Sequence, residues 1–185
     1  MYLLGHVASA ILIYFIYEQV SHTRNDQFKL LIAVGSMLPD FLDKPVGSLF
    51  FHSGRWLGHS LIFQLFVYLG LISLSKIQDN PTMFRKQSTV LFLGALLHLI
   101  GDSQSITATT ILWPFFGPFP TGPSNGFLFG FTHVTTIIEE IAGFVIICSI
   151  GLYEQWPKKY WFLFGVVVIL YLLLFVVIYA ILVGF

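Results

Sequence analysis

Histidine and aspartate side chains occur in this chain in closely spaced pairs whose types suit a metal site. His98 and Asp102 are four residues apart, so on a helix both side chains would lie on one face. Asp40 and Asp43 are three residues apart and follow Pro39, which favours the first turn of a new helical segment. Imidazole together with carboxylate is the ligand set of zinc, manganese or iron, whereas calcium and magnesium prefer oxygen alone. The pairs therefore predict a divalent-metal site, although a histidine hydrogen-bonded within a helix bundle and an aspartate helix cap are simpler interpretations.

A third group follows the spacing H-x-x-R-x-x-x-H and consists of His52, Arg55 and His59. If this segment is helical, Arg55 lies one turn from each histidine. An arginine beside a metal site stabilises charge that develops on a phosphate or a tetrahedral oxyanion, and its simpler role is to bind an anionic lipid headgroup. Ser60, next to His59, is either a nucleophile or a helix cap, and the cap is the commoner role.

Two further acids, Glu139 and Glu140, lie within a long apolar run. If this run crosses a membrane, acids inside it must pair with another group or face a polar cavity. His133 and Glu140 are seven residues apart and share a helix face, which indicates a supporting or substrate-channel role for these two residues.

The composition places these groups in a membrane protein. Of 185 residues, 56% are hydrophobic and 10% charged, against about 25% charged in a soluble domain. The net charge of zero argues against nucleic acid as a partner. The single cysteine, Cys148, forms no internal disulfide and offers no soft-metal site, so we interpret it as a packing residue.

Apolar runs of near-membrane length predict an all-α, polytopic membrane helix bundle that forms one domain over residues 1–185. We expect about six spans: Tyr2–Val20, Phe28–Leu42, Gly58–Ile77, Ser88–Ile100, Phe127–Tyr153 and Lys159–Phe185. The second and fourth are short and end in acids, so they are either full or partial spans that stop at a polar pocket. We interpret the first as a retained span and not a cleaved leader, because it lacks a basic start. The proline-rich loop Ser103–Gly126 cannot form a regular helix past Pro114.

The distribution of basic residues predicts an orientation. With six spans, one side of the membrane holds seven of the nine basic residues: Arg24, Lys29, Lys76, Arg85, Lys86, Lys158 and Lys159. The positive-inside rule puts that side in the cytoplasm and both termini outside it. Every histidine except His22 then falls on the extracytoplasmic side, together with Asp40, Asp43 and Asp102. This one-sided distribution predicts a shared site at the extracytoplasmic edge of the plasma (inner) membrane.

The candidate metal ligands are His6, Asp40, Asp43, His59, His98 and Asp102, and the candidate catalytic residues are Asp40, Arg55, His59 and Asp102. This set exceeds the three protein ligands of a typical catalytic zinc, which indicates either two ions or one ion with further carboxylates that orient the histidines. Zinc is favoured, with manganese or iron as alternatives. We expect hydrolysis of a phosphoester, ester or amide bond in a membrane lipid or lipid-linked substrate. The alternative is a transporter or ion-binding protein in which Glu139, Glu140, His98 and Asp102 form a proton or cation path.

Five short motifs occur in order along residues 1–116: GH at Gly5–His6, LPDFLDKP at Leu38–Pro45, GRWLGHS at Gly54–Ser60, HLIGD at His98–Asp102 and ILWP at Ile111–Pro114. Together they resemble the family of membrane-bound metal-dependent hydrolases. The resemblance implies a multi-span integral membrane protein whose hydrolytic metal site uses His6, Asp40, His59, His98 and Asp102. The family pattern often reads PD-x-D and H-R-x-x-T-H-S. Here one extra residue separates Asp40 from Asp43 and Gly58 takes the threonine position, so Asp43 and His52 match that pattern least well.

Overall fold

A computed structural model describes residues 3–51, 55–103, 106–117 and 134–183 of the chain. Within these residues the regular secondary structure is entirely helical, which confirms the all-α prediction. The seven α-helices are α1 (Leu3–Ser21), α2 (Asp26–Phe51), α3 (Leu61–Leu74), α4 (Pro81–Gly101), α5 (Ala108–Ile111), α6 (Val134–Tyr153) and α7 (Lys158–Val183). Short 3₁₀ turns at Leu57–His59 and Ser75–Ile77 flank α3.

Two of these helices, α1 and α6, are long and apolar enough to cross a membrane by length and composition. A shorter apolar helical stretch covers Leu61–Ile77. The count of six spans and the orientation of the termini stay predictions.

The second predicted span ends at Leu42, but α2 continues to Phe51, so Asp40 and Asp43 lie inside a helix and not at the start of a new one. The carboxylates are tolerated there because each has polar partners: Asp40 Oδ2 lies 2.6 Å from Lys44 Nζ, and Asp43 accepts backbone hydrogen bonds from the turn that follows α2. Pro39 is buried in the middle of α2, where its missing N–H removes one intrahelical hydrogen bond.

The fourth helix also begins earlier than expected. The fourth predicted span begins at Ser88, yet α4 begins at Pro81. Asn80 caps the helix, because its Oδ1 accepts a hydrogen bond from the Met83 N–H at 3.0 Å, and proline is favoured in the first turn. Residues 127–133 of the fifth predicted span lie outside the described residues.

The described chain packs as two compact units, Met1–Ile146 and Ile147–Phe185. The first unit contains α1 to α5 and the beginning of α6. In the second, Gly151 packs against the rings of Trp156 and Trp161. Because α6 runs through the boundary, this division does not test the prediction of one domain.

Helices α2 and α4 cross at two glycines. A Cβ atom on Gly35 would lie 2.1 Å from the Leu91 carbonyl oxygen, and one on Gly94 would lie 2.3 Å from the Ile32 carbonyl oxygen. Small residues allow helix backbones to approach this closely. One turn further along α4, the same approach brings His98 against the backbone of Ser36.

We expect Gly35→Ala to destabilise the first unit, because the added methyl group must push α2 and α4 apart. Overpacking of this kind typically costs about 1–3 kcal/mol. Gly70→Ala on α3 is the matched control, since a Cβ there meets nothing within 4 Å. Thermal unfolding of both variants in the same detergent is the measurement, and equal midpoints for the two variants would contradict the close crossing.

Candidate metal centre

Five side chains from four segments meet in the first unit, and we call them the His/Asp cluster. Its members are His6 of α1, Asp40 of α2, His59 of the 3₁₀ turn before α3, His98 of α4 and Asp102 just past α4. Nε2 of His59 lies 3.2 Å from Nε2 of His98, and Oδ1 of Asp40 lies 3.7 Å from each. Oδ2 of Asp102 lies 3.7 Å from His59 Nε2, and the His6 and His98 rings stack with centroids 3.8 Å apart. The three imidazoles are buried.

The hydrogen bonds behind two of the imidazoles fix which nitrogen carries the proton. His59 Nδ1 lies 2.6 Å from Asp43 Oδ2, and His98 Nδ1 lies 2.7 Å from the Ser36 carbonyl oxygen. A carboxylate and a carbonyl only accept, so both Nδ1 atoms donate, and in the neutral rings both Nε2 atoms present lone pairs. Two nitrogen lone pairs 3.2 Å apart repel each other unless a proton or a metal ion lies between them.

His6 adds a second unsatisfied group. Its imidazole is 1% exposed, and neither ring nitrogen has a hydrogen-bond partner among the described residues. Nε2 lies 3.1 Å from Asp102 Oδ1, but this contact lacks hydrogen-bond geometry. Because buried polar atoms nearly always have a partner, this nitrogen is a natural ligand for a cation.

The two carboxylates of the cluster also contact basic side chains. Asp40 is held by Lys44 through Oδ2, and Asp102 Oδ2 lies 3.8 Å from Arg55 Nη2. Burial opposes ionisation of Asp102, but the His59 and His6 imidazoles outweigh burial when a proton on Nε2 faces the carboxylate, and they hold the pKa of this carboxyl well below its usual range. Asp102 is therefore an anion at neutral pH.

The cluster contains two groups that could hold a metal ion, His6–His98–Asp102 and Asp40–His59–His98, with ligand atoms within 4.8 Å of one another in each. Imidazole nitrogens and carboxylate oxygens are the ligands that zinc, manganese and iron favour. Together with the facing lone pairs and the unpartnered His6, this chemistry fits a divalent ion.

Asp43 lies behind His59 and outside both of these groups. Its side chain is fully buried, and it accepts hydrogen bonds from His59 Nδ1 and from the backbone N–H groups of Trp56, Gly58 and His59. A carboxylate in this position orients a metal-binding histidine and fixes its tautomer. Gly58 is part of the arrangement, since a Cβ there would lie 2.6 Å from the Pro39 carbonyl oxygen.

Ser60 and Glu140 support helix starts near the cluster. Ser60 Oγ accepts from the Phe63 N–H as the cap of α3 and donates to the Trp113 carbonyl at 3.0 Å. Glu140, on α6, accepts from the Leu4 and Gly5 N–H groups at 3.2 and 3.0 Å. These N–H groups in the first turn of α1 have no partner within the helix, so Glu140 holds the turn that carries His6.

The remaining predicted site residues are placed as follows. Arg55 is described and lies outside any helix, so the helical spacing of one turn between Arg55 and His59 is not formed. His52 and His133 lie outside the described residues. Two residues that the sequence did not predict also contact the cluster: Lys44 contacts Asp40, and Ser36 contacts His98. The i,i+4 spacing of Asp40 and Lys44 was a signal for the first of these contacts.

A helical chain with apolar candidate spans and a buried His/Asp cluster suited to a divalent ion defines a membrane protein with a possible metal centre. A family model described as YdjM inner membrane protein matches residues 1–182. The chain therefore belongs to this family, a membrane-bound metal-dependent hydrolase family, which confirms the resemblance and extends it almost to the end of the chain. No curated protein and no solved structure gives a significant match.

Asp43→Asn tests the orienting carboxylate. The amide binds the His59 ring and the backbone N–H groups less well, so we expect affinity for zinc to fall by about 10–100-fold. Asp79→Asn, at an exposed position away from the cluster, is the control. Zinc affinity would be measured by competition with a chromophoric chelator, and an unchanged affinity in the Asp43 variant would contradict this role.

Glu140→Gln tests the link between α6 and α1. The amide offers one acceptor oxygen in place of two, and its NH₂ group faces a backbone donor, so we expect a loss of about 1–3 kcal/mol in unfolding free energy. The neighbouring Glu139→Gln is the control. Denaturant unfolding followed by tryptophan fluorescence measures both, and a Glu140 variant as stable as the control would refute the capping role.

Proposed function

We propose that the protein is a metal-dependent hydrolase that acts on a phosphoester, ester or amide bond of a membrane lipid or lipid-linked substrate. One observation supports this most directly: the His59 and His98 Nε2 lone pairs face each other in a buried space that also contains the oxygens of Asp40 and Asp102. Membership of the YdjM inner membrane protein family supports the same chemistry and the membrane setting.

The arrangement favours a single ion. His98 belongs to both candidate groups, but its Nδ1 is committed to the Ser36 carbonyl, so only Nε2 is left to bind a metal. One nitrogen lone pair cannot serve two ions. We therefore propose one divalent ion, with zinc favoured, held by His59 and His98 and by a subset of His6, Asp40 and Asp102.

An ion held there would act as a Lewis acid and make water a nucleophile at neutral pH. Asp40 is the most exposed member of the cluster, with a side chain 13% exposed, and we assign it the role of accepting the proton of the attacking water. Arg55, whose side chain is 42% exposed beside Asp102, would stabilise the negative charge that develops on a phosphoryl or acyl oxygen. His59 and Asp102 would position the metal ion, and Asp43 orients the His59 imidazole.

A membrane-edge location supports the choice of substrate. Arg55 lies on the exposed side of the cluster, where an anionic headgroup would reach it first. The positive-inside distribution of the basic residues supports a position of this edge on the extracytoplasmic side. The transporter alternative has less support. It requires Glu140 in a polar path, but both carboxylate oxygens of Glu140 accept hydrogen bonds from backbone N–H groups.

The test uses purified protein in nanodiscs made from a bacterial polar lipid extract. We expect zinc, manganese or iron to copurify, and lipid mass spectrometry to detect a species whose loss stops with a chelator and resumes when the metal is restored. His59→Ala should lose the metal and slow turnover by more than about 100-fold. His22→Asn is the control, since His22 is exposed and its positive φ of 52° suits asparagine.

Two results would overturn the proposal. One is wild-type protein that binds none of these metals after reconstitution. The other is lipid turnover that continues unchanged in His59→Ala.

A further inference from the structure

Two cationic side chains, Lys44 and Arg55, lie at the edge of the His/Asp cluster, and we call them the rim cations. Their side chains are 24% and 42% exposed, whereas those of Asp40 and Asp102 are 13% and 5% exposed. The imidazoles of the cluster are buried more deeply still. Among these groups, the most accessible charges are therefore positive.

Each rim cation is separated from the centre of the cluster by a single carboxylate. Lys44 Nζ lies 2.6 Å from Asp40 Oδ2, and the other oxygen of this carboxylate lies 3.7 Å from His59 Nε2. Arg55 Nη2 lies 3.8 Å from Asp102 Oδ2, which is itself 3.7 Å from His59 Nε2. The two cations therefore flank the same centre, one beside Asp40 and the other beside Asp102.

The charge of the rim cations exceeds what the nearby acids balance. The two carboxylates of the cluster would balance a divalent ion at its centre. Two further buried acids are stabilised by other donors: Asp43 by the His59 ring and three backbone N–H groups, and Glu140 by two N–H groups of α1. Positive charge in excess at a partly buried site favours an anionic ligand over a neutral one.

A phosphate monoester matches this distribution of charge better than the other candidate substrates do. It carries a charge of about −1.5 to −2 at neutral pH and three non-bridging oxygens, and an ion with the two rim cations offers three positive centres. A phosphodiester has one charge and two such oxygens, and the carbonyl group of an ester or amide is uncharged. Lysine and arginine are also the side chains that proteins use to bind phosphate.

We propose that Lys44 and Arg55 bind the non-bridging oxygens of a phosphate monoester that forms the head of a lipid substrate. This inference rests on the proposed hydrolase function and selects one of the bonds that it allows. In the hydrolysis, the water oxygen bonds to phosphorus, the bond from phosphorus to the lipid oxygen breaks, and one proton of the water ends on that oxygen. The products are the lipid alcohol and inorganic phosphate.

The test is isothermal titration calorimetry of the zinc-loaded, full-length protein in dodecyl maltoside, a detergent without phosphate. The main probe is 1,1-difluorooctylphosphonate, a dianion at neutral pH whose P–C bond resists hydrolysis. Its monomethyl ester represents a diester, octanamide represents a neutral substrate, and inorganic phosphate represents a head group without a chain. We expect the phosphonate to bind at least roughly 10-fold more tightly than each of the other three, because it combines the second charge with the chain.

Variants of the rim cations make the result specific. Lys44→Gln and Arg55→Gln should each weaken phosphonate binding by roughly 10-fold or more, as the loss of a contact to a charged group allows, and leave octanamide binding unchanged. Lys44→Arg keeps the charge and should retain most of the affinity. Lys76→Gln, at an exposed position on the turn after α3, is the control and should bind like wild type.

The same variants distinguish substrate binding from a purely structural role. If Lys44 served only to hold Asp40, Lys44→Gln would change zinc affinity, or would weaken the phosphonate and octanamide alike, and either result without a loss specific to the phosphonate would contradict its role. If Lys44→Gln fails to fold, Arg55→Gln and the comparison of probes on wild type decide.

Equal affinity of wild type for the phosphonate and octanamide, or unchanged phosphonate affinity in both glutamine variants, would overturn the inference. Inorganic phosphate that binds as tightly as the phosphonate would overturn the lipid source, since the chain would then add nothing. Metal content and lipid turnover separate the two proposals. Metal-dependent turnover without a preference for the phosphonate would refute the phosphate site alone, while charge-dependent phosphonate binding by protein that takes up no metal would refute the hydrolase alone.

Discussion

Nitrogen and oxygen lone pairs that face one another inside a buried space repel, and the His/Asp cluster has this arrangement at its centre. His59 and His98 both donate through Nδ1, so their Nε2 atoms, 3.2 Å apart, are left to hold a proton or a metal ion between them. Asp40 and Asp102 add carboxylate oxygens to the same space. Only positive charge stabilises such a group, and Lys44 and Arg55 approach it from its edge while leaving the centre to a cation.

The rest of the first unit holds this group together. The glycine crossing of α2 and α4 allows the Ser36 carbonyl to reach His98, and Glu140 fixes the turn of α1 that carries His6. Asp43 joins α2 to the turn that carries His59. Each of the three histidines is therefore held by contacts with another part of the chain, which is how proteins keep metal ligands rigid.

The sequence was sufficient to predict that polar residues distant along the chain would meet. Histidines and acids in an apolar chain have few favourable places other than a shared polar site, so His6, His59, His98 and Asp102 were predicted as one group, and the structure brings them together. The all-helical fold followed from apolar runs of span length in the same way.

The details that depend on long-range partners were not predictable. Pro39 and two acids suggest the end of a helix, but α2 continues because the backbone of residues 56–59 supplies donors to Asp43. Asp43 was predicted as a ligand, but it lies behind His59. Its position depends on a hydrogen bond to a residue 16 positions away, which local spacing does not reveal. Gln64 is a single polar residue in the apolar run of α3, and its contact with Gly58 depends on a turn that local patterns do not describe.

X-ray absorption spectroscopy of the purified, zinc-loaded protein tests the central claim most directly. The account predicts a shell of nitrogen and oxygen ligands at about 2.0–2.2 Å, with the multiple-scattering signature of at least two imidazoles that weakens in His59→Ala. A shell of oxygen ligands alone, or a spectrum that His59→Ala leaves unchanged, would contradict it.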